Sequence, residues 1–153
     1  KFQGEADWGL VGEIDRVEPK LLNALARDNF VPVVTPIAPG ENGETYNVNA
    51  DYAAGAIAGA IGAIKVLFLT DVPGVLRDAD DKTSLIPALS IDEVESLIAE
   101  GIISKGMIPK VRCATSAVQK GVTRAHIVDG REPHAILVEL FSDTGCGTMI
   151  TND

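Results

Sequence analysis

Tyr46-Asn47-Val48-Asn49-Ala50-Asp51 leads into Tyr52-Ala-Ala-Gly-Ala-Ile-Ala-Gly-Ala-Ile61, and after four more residues the chain runs through Val66-Leu-Phe-Leu-Thr70. The middle stretch is almost wholly small and apolar, as a helix must be to press closely against a sheet. The last is a continuous apolar run of the kind buried on both faces of a parallel sheet. Ahead of the helix, two carboxamides and a carboxylate stand at positions i, i+2 and i+4. A helix N-terminus offers unpaired N–H groups and the positive end of a dipole, which suits an anionic ligand. Chemistry is therefore expected at this junction.

Outward from it, strand and helix signals alternate. Leu10 to Val17 reads as a strand, one half of a hairpin. Glu18-Pro19 opens a short helix with Leu21, Leu22 and Leu25 as its apolar stripe. Val31 to Ile37 reads as a buried strand with prolines near its ends, and Pro39-Gly40-Glu41-Asn42-Gly43 as a hairpin tip. Asp71-Val72-Pro73-Gly74 forms a loop after the Val66–Thr70 strand, and Asp78 to Lys82 a solvated turn. Ser90-Ile-Asp-Glu93 is a capping box for a helix carrying Val94, Leu97 and Ile98, ended by Gly101. A further helix spans about Met107 to Gln119 and closes at Gly121. Arg124 to Val128 reads as a strand, Ala135 to Phe141 as a helix, and Thr148 to Ile150 as a final strand. The class is α/β, a mainly parallel sheet flanked by helices, forming a single domain over residues 1–153. Ligands of such sheets bind beyond the carboxyl ends of strands, which here means the loop after Thr70 and Asp129-Gly130 after Val128.

The 153 residues are 46% hydrophobic and 23% charged, the balance of an ordinary globular protein. A net charge of −9 opposes binding to nucleic acid or an anionic membrane. The longest apolar run, Tyr52 to Ile64, is shorter than the roughly 18 residues that suggest a membrane span. Gly55 and Gly59 within it form a GxxxG, read here as close helix-to-sheet packing. Cys113 and Cys146 are far apart, lack zinc spacing, and suit a reduced cytoplasmic setting. The chain opens on Lys1 without a methionine, like the middle of a longer polypeptide.

No Walker loop, GxGxxG or GxSxG occurs, and neither histidine sits in a metal motif. Asn49 and Asp51 have a plain structural reading as helix caps, and Asp71 another as a turn former. Lys110 has one as a solvated helix lysine. Yet Pro109 places Lys110 in the first turn of its helix, where the dipole disfavours a cation and invites a counter-anion. Together, a lysine, a carboxylate and carboxamides suit phosphoryl transfer: one to neutralise charge, one to organise it, the others to hold the acceptor.

These motifs carry a resemblance. Gly9-Leu-Val-Gly-Glu13, Asn47-Val-Asn-Ala-Asp51, Leu69-Thr-Asp-Val-Pro-Gly-Val-Leu76, Gly106-Met-Ile-Pro-Lys-Val111, Ile127-Val-Asp-Gly130 and Gly145-Cys-Gly-Thr-Met149 stand in the order found in the N-acetylglutamate kinases. These enzymes have the amino acid kinase (carbamate-kinase-like) fold. The chain resembles their C-terminal, ATP-binding half over essentially its whole length. The resemblance implies that Asn47, with Asn49, binds the N-acetylglutamate acceptor and that Asp51 holds catalytic lysines. It implies that Lys110 stabilises the transferring phosphoryl group. Thr70, Asp71, Val72, Pro73, Gly74, Val75 and Leu76 would surround ATP with Ile102, Ile103 and Ser104, magnesium bridging the phosphates without direct protein ligands.

The family's N-terminal lobe, with its glycine-rich loop and second catalytic lysine, has no counterpart among these motifs, so the chain carries half a catalytic site and is expected to be inactive alone. Feedback-regulated members bind arginine near their C-terminus, which marks His134, Glu139, Asp143 and Gly145 as an effector region. The bland reading of these four is a set of solvated residues near a terminus. The intact enzyme is expected to be a homo-oligomer in the cytoplasm, or in the plastid of a plant or alga. Two alternatives stand beside this reading. One is another amino acid kinase, acting on glutamate, aspartate, carbamate or UMP; the other is a non-catalytic nucleotide- or amino-acid-binding module.

Overall fold

The computed structural model describes residues 9–103 and 106–153. The elements follow as β1 (Val11–Gly12), α1 (Lys20–Arg27), β2 (Ile37–Pro39), β3 (Thr45–Val48), α2 (Ala50–Ala60), β4 (Lys65–Thr70), β5 (Ala88–Ser90), α3 (Ile91–Ala99), α4 (Ile108–Gln119), β6 (Arg124–Asp129), α5 (Ala135–Phe141) and β7 (Thr148–Thr151). They form two sheets, ordered β1-β3-β2 and β4-β6-β7-β5. The larger is mixed: β4 and β6 are parallel, β5 and β7 are parallel, and β7 runs antiparallel to β6.

Packing follows from side-chain alternation. Val66 and Phe68 of β4 stand beside Ala125 and Ile127 of β6, and Ala125 stands opposite Ile150 of β7. These residues form one face, packed in the core with Val111, Ala114, Ala117 and Val118 of α4 and Ala58 of α2. Parallel β4 and β6 are joined through α3 and α4, and α4 must run back against the strands to connect them. Its amino end, like that of α2, therefore lies at the carboxyl end of the sheet.

Gly55 and Gly59 face α4, not the sheet. A Cβ on Gly55 would meet Ala117 and the Cys113 carbonyl, and one on Gly59 would lie 3.0 Å from Lys120 Cβ. The small-residue stripe expected to hug the sheet is thus a helix–helix seam.

Other expectations need correction. The Leu10–Val17 strand shrinks to Val11–Gly12, which pairs parallel with β3 and forms no hairpin. Pro19 caps α1 from outside, and no residue of that helix is buried. The run Val31–Ile37 is not buried, and it first joins β3 at Pro36, whose carbonyl accepts from Val48 N–H: Val31 is 88% exposed and Val33 92%. Pro32 and Pro36 have no N–H to give a neighbour, and β propensity without a partner strand makes no ladder. β4 lies at a sheet edge and alternates between buried and open positions, with Leu69 half exposed. β5 carries no strand signal of its own, because its Ser90 carries the helix-cap signal of α3.

The hairpin tip is present: β2 and β3 pair antiparallel around Gly40–Gly43, with Gly43 at φ +85°. The capping box also forms, Ser90 Oγ accepting from Glu93 N–H while Glu93 accepts from Ser90 N–H.

Candidate active site

Three chain segments converge at the carboxyl end of the larger sheet. The first is the start of α2. Asn49 caps it, its Oδ1 accepting from the backbone N–H of Asp51 (2.9 Å) and of Tyr52 (3.2 Å). Its oxygen is committed to the backbone, so the capping reading holds for Asn49. Asn47, two residues earlier in β3, has its backbone in the sheet and its residue exposed opposite buried Val48. Asp51 follows in the first turn.

The second is the start of α4. Pro109 sits in the first turn, and Lys110 extends its Nζ to 3.9 Å from Asp51 Oδ2. The two side chains are 29% and 32% exposed, so they meet at an accessible surface. The Gly55 seam makes this meeting possible, since larger residues there would hold α2 and α4 apart. Beneath it Cys113 is buried, and burial pushes its thiol up to about 11. That thiol is no nucleophile at neutral pH.

The third is the loop after β4. Asp71, Val72, Pro73, Gly74, Val75 and Leu76 line one side of a cleft of about 290 Å³; Ile102, Ile103 and Met107 line another. The aliphatic side chains make a slot suited to a flat heterocycle. Thr70 is buried at the strand end, its hydroxyl 3.2 Å from Asp71 Oδ1. Gly74 adopts φ +147°, and a Cβ on it would strike Thr148. Ser104, read with Ile102 and Ile103, lies outside the described residues.

Several positions in or beneath the cleft carry no signal in the sequence. Thr148 is fully buried and clamps the cleft loop, its hydroxyl accepting from Val75 N–H at 2.8 Å and donating to the Ile86 carbonyl at 2.7 Å. Lys82 and Arg131 put two cations on the cleft wall. Arg131 is forked onto Asp129, Nε to Oδ1 2.9 Å and Nη2 to Oδ2 2.7 Å. The Asp129-Gly130 turn is marked in the sequence; the arginine beside it is not.

The C-terminal residues are dispersed differently from the effector expectation. His134 and Asp143 are exposed, while Glu139 is buried at 8% exposure. Its Oε1 meets His126 Nδ1 at 2.6 Å, and its Oε2 accepts from Cys146 N–H (2.7 Å) and Gly147 N–H (3.0 Å). Burial raises the Glu139 pKa, but the Cys146 N–H, the His126 ring and the Gly147 N–H outweigh it and leave it below the usual carboxylate value. Gly145 packs directly on this carboxylate. Glu139 is engaged inside the fold rather than held out to a ligand.

The model of the amino acid kinase family matches residues 2–129. This chain belongs to the amino acid kinase family. Its amino acid kinase relatives include the acetylglutamate kinase of Desulfitobacterium hafniense, 56% identical over 96% of this chain and 50% of that protein. The acetylglutamate kinase of Heliobacterium modesticaldum is 53% identical over 94% of this chain and 49% of its own length. The chain thus spans about half the length of the curated relatives it matches. Among solved structures, N-acetylglutamate synthase from Neisseria gonorrhoeae, complexed with coenzyme A and L-arginine, superposes with a TM-score of 0.89 at 26% identity. That match covers 99% of this chain and 35% of the synthase. Among the described residues, no helix is long and apolar enough to cross a membrane.

Proposed function

We propose that this chain supplies the nucleotide-binding half of an acetylglutamate kinase, which moves the γ-phosphoryl group of ATP to the γ-carboxylate of N-acetyl-L-glutamate. The observation that carries this is the Lys110–Asp51 pair, set at the same end of the sheet as the cleft of Asp71–Leu76, Ile102 and Ile103. The relatives' names at about half identity favour N-acetylglutamate over glutamate, aspartate, carbamate or UMP as acceptor.

In this reading the aliphatic slot takes the base, and the phosphates run toward the amino ends of α2 and α4. Lys110 draws negative charge off the transferring oxygens as they separate from the leaving group. Asp51 keeps that ammonium in place between turnovers. Asn47, exposed beside the junction, is the carboxamide free to meet the acceptor. Magnesium would supply charge neutralisation across the phosphates. Among the described residues no three His, Cys, Asp or Glu side chains form a cage, and the acidic residues at the site, Asp51 and Asp71, fit an ion carried chiefly by ATP's own oxygens.

The test has two arms. Calorimetry of the 153-residue chain with a non-hydrolysable ATP analogue and magnesium should show weak binding, with no ADP release in a coupled assay. A polypeptide of the relatives' full length containing this chain should release ADP only when N-acetyl-L-glutamate is supplied. Turnover by the chain alone, or turnover with another acceptor, overturns the respective part of the reading.

A further inference from the structure

Asp129 ends β6 beside Thr70 at the end of β4, and Gly130 N–H donates to the Thr70 carbonyl at 2.8 Å. Asp129 is therefore fixed by the sheet itself and is only 6% exposed. Arg131 turns back over it. Besides the forked pair, its backbone N–H donates to Asp129 Oδ1 at 3.0 Å. Two guanidinium bonds and one backbone bond to the same carboxylate leave the side chain little freedom, in contrast to an ordinary surface arginine. Hydrogen bonds from the Arg131 side chain and backbone hold the Asp129 carboxyl down to about 2, so the pair stays charged throughout the physiological range.

The fork uses Nε and Nη2, leaving the Nη1 edge without a partner among the described residues. The side chain is 62% exposed, and it lines the same cleft as Asp71 and the aliphatic slot, with Lys82 as the second cation. A guanidinium locked by one carboxylate, with donors to spare on a cleft wall, is built to receive an anion. A loop-stabilising arginine would not need to stand on that wall.

We infer that Arg131, oriented by Asp129, receives a phosphate of the bound nucleotide through its free Nη1 edge. The inference rests on the nucleotide reading above and adds to it a residue that discriminates phosphorylated from unphosphorylated nucleosides.

The experiment compares the affinity of the chain for a non-hydrolysable ATP analogue with its affinity for adenosine, in the native sequence and in Arg131→Gln and Arg131→Lys. Arg131→Gln should lower the analogue-to-adenosine affinity ratio by about tenfold, the scale of one charge-assisted hydrogen bond, while adenosine binding stays put. Arg131→Lys leaves Asp129 a cationic partner but not the fork, so the ratio should fall by less. An unchanged ratio in Arg131→Gln overturns the inference. So does an equal loss for both ligands, which would mark Arg131 as a support of the loop alone. A native chain that binds neither ligand instead overturns the nucleotide reading, and the phosphate contact with it.

Discussion

Lys110 reaches across the α2–α4 seam to Asp51, Nζ to Oδ2 3.9 Å, joining the first turns of two helices that begin at the same end of the sheet. A partly exposed pair at that distance adds at most about 1 kcal/mol to stability. Its value must be sought in what the lysine does when a phosphate arrives.

In an enzyme of the relatives' full length, Lys110→Ala should therefore lower kcat by roughly 10²–10³, with little change in either KM. Asp51→Asn should also cut kcat sharply while costing at most about 1 kcal/mol of stability, since Asp51 lies in the first turn behind the Asn49 cap and gives up only a helix-dipole interaction and a partly exposed ion pair. Steady-state kinetics and a thermal melt on each variant check this. A raised KM with intact kcat would move Lys110 to ground-state binding.

Asn49 has a different assignment. Its carboxamide satisfies two N–H groups at the start of α2, so Asn49→Ala should cost about 1 kcal/mol by urea denaturation, and Asn49→Asp almost nothing. Asn47→Ala, by contrast, should leave stability alone and raise KM for N-acetyl-L-glutamate without touching that for ATP.

Gly147 passes so close to β6 that a Cβ there would be driven into the Ile127 carbonyl oxygen and against Val128. Gly147→Ala should destabilise the chain by roughly 3 kcal/mol or more, because backbone must move to admit the methyl. Thr148→Val, which keeps the shape but strips the clamp from Val75 N–H and the Ile86 carbonyl, should cost about 2 kcal/mol. It should also weaken nucleotide binding, through a loosened cleft loop.

Glu139 ties stability to pH. Its folded pKa lies below the ordinary 4.5, so its contribution is fully present above that value and is lost as pH falls through the folded one. Acid titration of the melting temperature should show a drop below about pH 4.5 that is reduced in Glu139→Gln. At neutral pH that variant should be the less stable, having given up the charged partner of His126, Cys146 N–H and Gly147 N–H. A Glu139→Gln profile parallel to the native one would dismiss the assignment.

What could be read from residues alone was the local grammar. The capping box at Ser90, the Asn49 cap, Gly43 in the hairpin and the Pro109 helix start are all short-range physics, set within a few residues. Long-range choices were hidden. That the Gly55–Gly59 stripe meets α4, that β7 inserts between β6 and β5, antiparallel to the first and parallel to the second, and that Val31–Val34 stays bare all depend on partners remote in sequence. The site divides the same way. Lys110, Asp51 and the Asp71–Leu76 loop were legible as candidates because each sits at a marked helix start or strand end. Thr148 and Arg131 were not, since a buried hydroxyl 73 residues from Val75 and an arginine folded back two residues carry no periodic signature.

The open edge of β4 has a practical outcome. Among the described residues no strand pairs with its outer side, which carries a single lysine, Lys65, among six residues. Lone strand edges of this kind recruit strands from other molecules. Purified at high concentration by itself, this polypeptide should self-associate through β4 into sheet-rich oligomers, with turbidity rising steeply with protein concentration. Phe68, whose side chain is buried, should be spared in that assembly's contacts, while Leu69, half bare, should be drawn into them.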